Sequence, residues 1–310
     1  MAEEIIMSNI SVIITCYREG NLIFEAVNSI LTQTLLPLEI LVVNDASSDR
    51  STIETCQSLE QNPLIRVIWR VTNGGPSVAR ENGFSVAQGE VLVPLDADDI
   101  LPANALFLIW ETFQKYPDSG FVYGNYLRQK QANSIGEIIN PQDISLQSML
   151  KAKNFSLSSN WRLIGTTPLR RSLWQSIGGY DPNFGVEDLH DVEFWIRAIS
   201  SGCSYQYIPE VIYIWRKYLG SNSRQVTPLS WYRIAQKYIS IYQNIGLAYR
   251  AYELLLLGSK WLNDRKEIQH YSQEIKRCVY QGKFQFSTFI ALGIPTIILQ
   301  SLAKQLSQKR

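Results

Sequence analysis

Histidine is nearly absent: His190 and His270 are the only two in 310 residues. That excludes metal sites built from several imidazoles and leaves little room for a Ser-His-Asp hydrolase. Cysteine is scarce too. Cys16, Cys56, Cys203 and Cys278 lie far apart and form no CxxC pair, so neither a dense disulfide framework nor a zinc ribbon is indicated and a reducing cytoplasm fits best. An excess of charge of one sign is also missing. Lys and Arg number 29 against 28 Asp and Glu, a net of +1, without the basic surplus that neutralises a nucleic-acid backbone. No nucleic-acid partner is expected. Met1 to Asn9 carry Glu3 and Glu4 and no basic stretch ahead of an apolar run, so no signal peptide is expected. Repeats and low-complexity tracts are lacking as well. Hydrophobic residues at 45% and charged residues at 18% leave a globular chain, sized for one large domain with an appendage or for two unequal domains.

What is present is an alternation. The β-branched runs Ile10 to Thr15, Ile40 to Val43, Ile65 to Trp69 and Val91 to Leu95 are separated by stretches with helical spacing, such as Leu22 to Leu31 and Ser77 to Ala87. Continuous apolar runs of this length predict parallel strands covered on both faces, an α/β fold. Ligands of such sheets bind beyond the carboxyl ends of the strands. The residues there are polar: Tyr17-Arg18-Glu19, Asn44-Asp45, Asn73-Gly74-Gly75 and Asp96-Ala97-Asp98-Asp99. The alternation breaks down through Arg128 to Asp143. A strand-like piece at Trp161 to Thr166, helices over Pro168 to Ser176 and Val192 to Ser200, and short strands over Tyr205 to Ile208 and Val211 to Trp215 follow. Beyond Pro228 the pattern is helical throughout, which places a boundary near residue 225.

Three carboxylates at the end of one strand, in Asp96 to Asp99, repel one another unless a cation neutralises them. An all-oxygen site suits Mg²⁺ or Mn²⁺, especially where substrate phosphates complete the shell. The alternative, that Asp98 or Asp99 caps a helix beginning at Pro102, accounts for one acid and not three. Asp45 is placed to accept from a nucleobase N–H, with Ser47 or Ser48 capping the next helix and Asp49 in its first turn. Gly74-Gly75 followed by Arg80 couples a helix N-terminus to a cation, an arrangement that favours a diphosphate, although an ordinary turn with a capping serine reads the same way. In Glu187-Asp188-Leu189-His190-Asp191-Val192-Glu193 the apolar spacing that follows sets Asp191 in the first turn of a helix. There a carboxylate either answers the helix dipole or takes a proton from an acceptor hydroxyl.

Together these stretches resemble family 2 of the inverting glycosyltransferases, over about residues 8 to 224. The resemblance runs through Ile10 to Tyr17, Glu39 to Asp49, Asn73-Gly74-Gly75, Ala79 to Gly83, Ala87 to Glu90, Leu95 to Asp99, Gly178 to Asp181 and Asp191 to Arg197. It implies a GT-A-like Rossmann-type sandwich with a mostly parallel sheet over 1–225 and a helical C-terminal region over 226–310. The donor half would cover about 1–126 and the acceptor half about 127–225. It further implies a nucleoside diphosphate sugar, with uridine diphosphate as the nucleotide, contacted by Thr15, Tyr17, Glu19, Asp45, Arg80, Asp96 and Ala97. Asp96 and Asp98 would hold Mn²⁺ or Mg²⁺, Asp191 would be the general base, and the acceptor would be a glycan or lipid-linked hydroxyl. The sequence departs from the family pattern in Asn44 where aspartate is common, in His190 where glutamate is usual, and in Arg216-Lys217-Tyr218 where Arg-x-His is usual. Glu187 and Asp188 are therefore second candidates for the base. Two rival readings accompany this one. The first is a member that binds nucleotide sugar without turnover. The other is a haloacid-dehalogenase-like phosphatase, suggested by Leu95-Asp96-Ala97-Asp98 but lacking threonine where Ile100 stands.

The last stretch lies outside the resemblance. No charged residue occurs from Phe284 to Ala303, polar residues interrupt it, and Pro295 would kink a helix. The apolar portion from Phe289 to Leu299 is shorter than the roughly 20 residues of a span, so a buried or interfacial helix is expected. Lys276, Arg277 and Lys283 on one side and Lys304, Lys309 and Arg310 on the other suit anionic headgroups. Self-association or packing of this helix on the chain is the competing expectation, and a cytoplasmic protein peripheral to the membrane is the expected location.

Overall fold

The structure is a computed structural model and describes residues 8–132, 134–184, 189–219 and 226–307. The chain divides into two compact units. One comprises Met1–Gln142, Leu163–Val186 and His190–Ser223, and the other Asp143–Arg162, Glu187–Leu189 and Arg224–Arg310. This differs from a single division at residue 225, because Asp143–Arg162 belongs with the C-terminal helices.

The first unit opens with β1 (Ile10–Cys16), α1 (Leu22–Leu31), β2 (Glu39–Asn44), α2 (Arg50–Leu59), β3 (Ile65–Trp69), α3 (Gly75–Val86) and β4 (Val91–Asp96). β1 runs parallel to both β2 and β4, and β2 parallel to β3. All seven residues of β1 are buried, as a continuous apolar run covered on both faces requires. α4 (Ala105–Lys115), β5 (Ser119–Gln129) and β6 (Glu137–Ile139) come next. α5 (Leu146–Leu150) belongs to the other unit. β7 (Leu169–Arg170), α6 (Arg171–Ile177), α7 (His190–Ser200) and β8 (Ser204–Arg216) complete the first unit. The sheet order is β3-β2-β1-β4-β7-β5-β6, with β8 parallel to β5 and with β6 and β7 antiparallel to their neighbours. This is the expected mostly parallel α/β sheet. Pro94 falls where β7, paired only at Val91 and Leu92, has already left β4.

Several local expectations change. β8 is one strand of 13 residues where two short ones were expected, because register shifts around Asn125 take up Pro209 and Glu210 and the Asn125 amide donates to the Pro209 carbonyl. The stretch from Trp161 to Thr166 forms no strand, and the polar stretch after Arg128 contributes β6, which pairs with β5. The cap of α2 is Asp49, whose carboxylate accepts from Thr52 N at 2.8 Å, while Ser47 Oγ accepts from Asp49 N. Cys16 and Cys56, distant in sequence, bring their sulfurs to 3.7 Å as free thiols. The bond to Cys56 and burial hold the Cys16 thiol well above its ordinary range.

α5 joins the second unit's α8 (Pro228–Lys237), α9 (Ile239–Asn244), α10 (Ala248–Leu262), α11 (Arg265–Tyr280), α12 (Phe286–Gly293) and α13 (Thr296–Ser307). α10 is buried along most of its length. Gly258 lets α8 approach it closely: a methyl there would lie 2.3 Å from the Tyr232 ring. Among the described residues no single helix is long and apolar enough to cross a membrane, and α12 and α13 reach that length only as a pair bent by 81°.

Candidate active site

The sheet order β2-β1-β4 gathers the carboxyl ends of three adjacent parallel strands. Thr15 lies in register with Val43 on one side and Asp96 on the other. Asp45 N donates to the Cys16 carbonyl at 2.9 Å and Ala97 N to the Thr15 carbonyl at 3.3 Å. Thr15, Tyr17, Asp45, Asp96 and Ala97 therefore share one edge, where an open parallel sheet receives its ligand. Beside it Glu19 turns its carboxylate back onto its own loop and accepts from the N–H of Tyr17 and of Arg18, whose guanidinium lies 4.9 Å from the Tyr17 ring centre.

Asp45 is buried and organises the loop that starts α3. Its carboxylate accepts from Gly74 N at 3.0 Å and from Gly75 N at 2.7 Å, and it forms an ion pair with Arg70. The Asn73 amide donates to the Asp45 carbonyl at 3.1 Å. Gly75 holds φ at 79°, which favours glycine, and Ala46 holds 54° without that freedom. The carboxylate that the family resemblance assigns to a nucleobase thus already anchors the loop from 73 to 75. Arg70, at the foot of that loop, escaped the sequence reading. A cation directly after a parallel strand was the one signal for it.

Arg80 projects from α3, is only 4% exposed and pairs with Asp96. Burial opposes its charge, but Asp96 together with Tyr180 and Tyr213 outweighs it and raises the guanidinium above its ordinary range. Its Nε is buried without a hydrogen-bond partner among the described residues. A buried charged donor left open costs free energy unless something fills it.

The acid cluster divides by task. Asp99 is buried: it accepts from Tyr213 Oη at 2.6 Å and from Arg216 N at 2.7 Å, which ties β8 to the end of β4. Arg216 Nε donates to the Asp98 carbonyl at 2.6 Å, and the same guanidinium pairs with Glu25. Burial, with Asp96 and Asp98 adding to it, pushes the Asp99 carboxyl up to about 8. Burial and the charges of Asp96 and Glu19 push Asp98 up to about 6. Neither acid caps a helix at Pro102, since α4 begins at Ala105 after Asn104. Among the described residues no group of three or more His, Cys, Asp or Glu side chains is placed to hold an ion. Asp96 and Asp98 remain as two oxygen donors under mutual repulsion, so a cation here would draw its other ligands from a substrate.

Asp191 stands in the first turn of α7. A methyl group on Gly165 would lie 3.1 Å from Asp191 Cβ, 3.2 Å from its Oδ2 and 3.6 Å from Arg80 Nη1. The candidate base and the buried cation therefore converge on one glycine, which no spacing in the sequence indicated. Tyr180 lies among these charges. Burial pushes its hydroxyl up to about 12, with Arg80 pulling down and Asp191 and Asp96 pushing up. Arg197 holds α7 in place through Glu193 and the carbonyls of Ile177 and Gly179, and Glu81 clamps the same turn by accepting from Trp174 Nε1 and Tyr180 N. His190 is buried, its ring 6.0 Å from that of Tyr180. Glu187 and Asp188 lie outside the described residues.

The model of glycosyl transferase family 2 matches residues 11–180. The chain belongs to this family. Glycosyltransferase GlyG of Streptococcus pneumoniae serotype 4 is 26% identical over 234 residues, 72% of this chain and 76% of GlyG. A poly-β-1,6-N-acetyl-D-glucosamine synthase of Staphylococcus epidermidis is 25% identical over 213 residues, 66% of this chain and 52% of the synthase. The match thus spans about half the length of that synthase. Among solved structures, S. aureus TarS 1–349 in complex with UDP-GlcNAc has a TM-score of 0.59 at 18% identity, covering 97% of this chain and 92% of that one. The architecture is accordingly that of a GT-A glycosyltransferase. Membership of family 2 removes the phosphatase reading of Leu95 to Asp98. Within the family frame Arg70, just after β3, and Tyr213 and Arg216 of β8 act on Asp45, Asp98 and Asp99, a support that motif spacing does not reveal.

Proposed function

We propose that this family 2 enzyme transfers a sugar from a uridine diphosphate sugar to a hydroxyl of a glycan or lipid-linked acceptor, with inversion at the anomeric carbon. The observation that carries the reading is Arg80: a buried guanidinium with an open Nε–H, paired with Asp96 and close to the glycine that Asp191 also approaches. Asp96 answers its charge from one side, and a diphosphate would supply the acceptor that the open Nε–H lacks. TarS, similar in fold, is described in complex with UDP-GlcNAc and with UDP, and the Staphylococcus epidermidis relative is a polysaccharide synthase by name. The first favours a nucleotide sugar as donor and the second a saccharide product.

In this mechanism the loop from 73 to 75, held by Asp45 and Arg70, shapes the donor nucleotide's pocket together with Thr15, Tyr17, Glu19 and Ala97. Asp96 and Asp98 are the residues that would hold Mn²⁺ or Mg²⁺, and the chemistry such an ion would supply there is Lewis-acid neutralisation of diphosphate charge. Asp191 takes the proton from the acceptor hydroxyl as its oxygen attacks the anomeric carbon. One displacement with one base inverts that centre. The place of action in this proposal is the cytoplasm, peripheral to its membrane.

The test is UDP release from UDP-GlcNAc and related donors with Mn²⁺ and a panel of saccharide acceptors. Release is expected from the unmodified chain and a loss of roughly 10² or more in Arg80→Gln, with a product of opposite anomeric configuration by NMR. Binding of UDP without turnover of any donor would identify the chain as a non-catalytic nucleotide-sugar binder instead.

A further inference from the structure

Helix α12 is built inside out. It buries Ser287, Thr288 and Ala291, while Phe286 and Phe289 are 52% and 51% exposed. A helix on a protein core turns its aromatic residues inward. Polar bonds enforce the opposite here. Ser287 Oγ donates to Glu253 Oε2 at 2.9 Å and Thr288 Oγ1 to Oε1, and Glu253 is fully buried and paired with Arg250 at 2.8 Å. At the far end Lys260 Nζ donates to the carbonyls of Ala291, Leu292 and Ile294 at 2.7, 3.0 and 2.8 Å. α10 thus grips both ends of α12. Rotating α12 to bury its phenylalanines would break these bonds and strand buried charges, a cost larger than the apolar gain.

The outward rings of α12 meet other exposed phenylalanines. Phe284 meets Phe289 at 5.5 Å and Phe155 meets Phe286 at 5.1 Å, ring centre to ring centre. α13, bent away by 81°, buries Leu299 and exposes Ile297, Ile298 and Leu302. Large apolar side chains gathered in this way, rather than scattered, mark an interaction surface. The charge identifies what it meets. Residues 265–310 carry eight Lys and Arg against Glu267 and Glu274, a net of +6, while residues 1–264 carry a net of −5. An apolar face within a basic segment complements an anionic lipid surface. A second copy would set +6 against +6 across a self-complementary contact.

We propose that α12 and α13 lie in the interface of an anionic bilayer, with Phe284, Phe286, Phe289, Ile297 and Ile298 at the acyl boundary and the neighbouring Lys and Arg among the headgroups. The attachment is interfacial, since the described helices are too short to span singly. Flotation of the full chain with vesicles of phosphatidylglycerol and phosphatidylcholine, against phosphatidylcholine alone, tests it. Binding is expected on the anionic vesicles, weakened about tenfold or more in Phe284→Ser, Phe286→Ser, Phe289→Ser combined and about fivefold in Lys283→Gln. The thermal melt of Lys283→Gln should match the unmodified chain, because that side chain is exposed, the triple variant should stay folded by circular dichroism, and UDP binding should not change in either. A failure here would therefore leave the transferase reading standing. No binding by the unmodified chain, or equal binding by the triple variant, overturns the proposal. So does a concentration-dependent dimer in sedimentation velocity that the triple variant abolishes, which would assign the face to a second copy.

Discussion

Asp191 and Asp99 are both carboxylates of the first unit, yet their surroundings give them different work. Asp99 has both oxygens committed to Tyr213 and to the backbone of Arg216, so its part is to hold β8 in place. Replacing it with alanine should lower stability by about 2 kcal/mol, since a buried phenol and a backbone N–H lose their acceptor; urea denaturation measures this. Asp191 stands at a helix start beside Gly165 and Arg80. Asp191→Asn should keep UDP affinity in calorimetry and lose turnover by roughly 10² to 10⁴, the usual contribution of a positioned general base. If Asp188→Asn abolishes transfer while Asp191→Asn does not, the base has been assigned to the wrong acid.

At the scale of elements, α3 is the hinge between packing and chemistry. Its inner face packs so closely on β1 that a methyl on Gly83 would come within 2.5 Å of Ile13 Cγ2, while Arg80 and Glu81 reach Asp96 and the turn before Tyr180. Glycine therefore serves two ends. Gly83→Ala should cost about 1 to 3 kcal/mol through overpacking and leave the kcat of the surviving folded fraction unchanged. Gly165→Ala meets Asp191 at 3.1 to 3.2 Å, a contact a small shift can relieve. It should leave the melting temperature nearly unchanged and lower kcat by displacing the base. Melts and steady-state kinetics on the two variants separate these outcomes, and equal effects on kcat would refute the placement of Asp191.

For the molecule as a whole, ligand linkage is the most general test of the donor site. UDP with Mn²⁺ at about 100 times its dissociation constant should add roughly 2.7 kcal/mol to stability, read as a rise in melting temperature. Chelation should remove most of that rise, because two repelling carboxylates and a diphosphate need the cation between them. An equal rise with chelator present, or in Asp96→Ala, Asp98→Ala combined, would remove the metal from the donor site.

The sequence by itself determined the strands β1 to β4 and the placement of Asp45, Asp96 and Asp98 at their ends, because continuous β-branched runs between helical stretches have one economical solution, a parallel sheet. Only the tertiary structure decided which distant residues meet: Arg70 with Asp45, Arg80 with Asp96, Asp191 at Gly165, and Cys16 with Cys56. Those meetings depend on strand order and helix packing, and residues far apart in the chain leave no periodic trace of them. At β8, where two short strands were expected, strand pairing outweighs the local pattern, and in α12 buried hydrogen bonds decide which face turns inward. An unmet buried polar group costs more than an exposed phenylalanine.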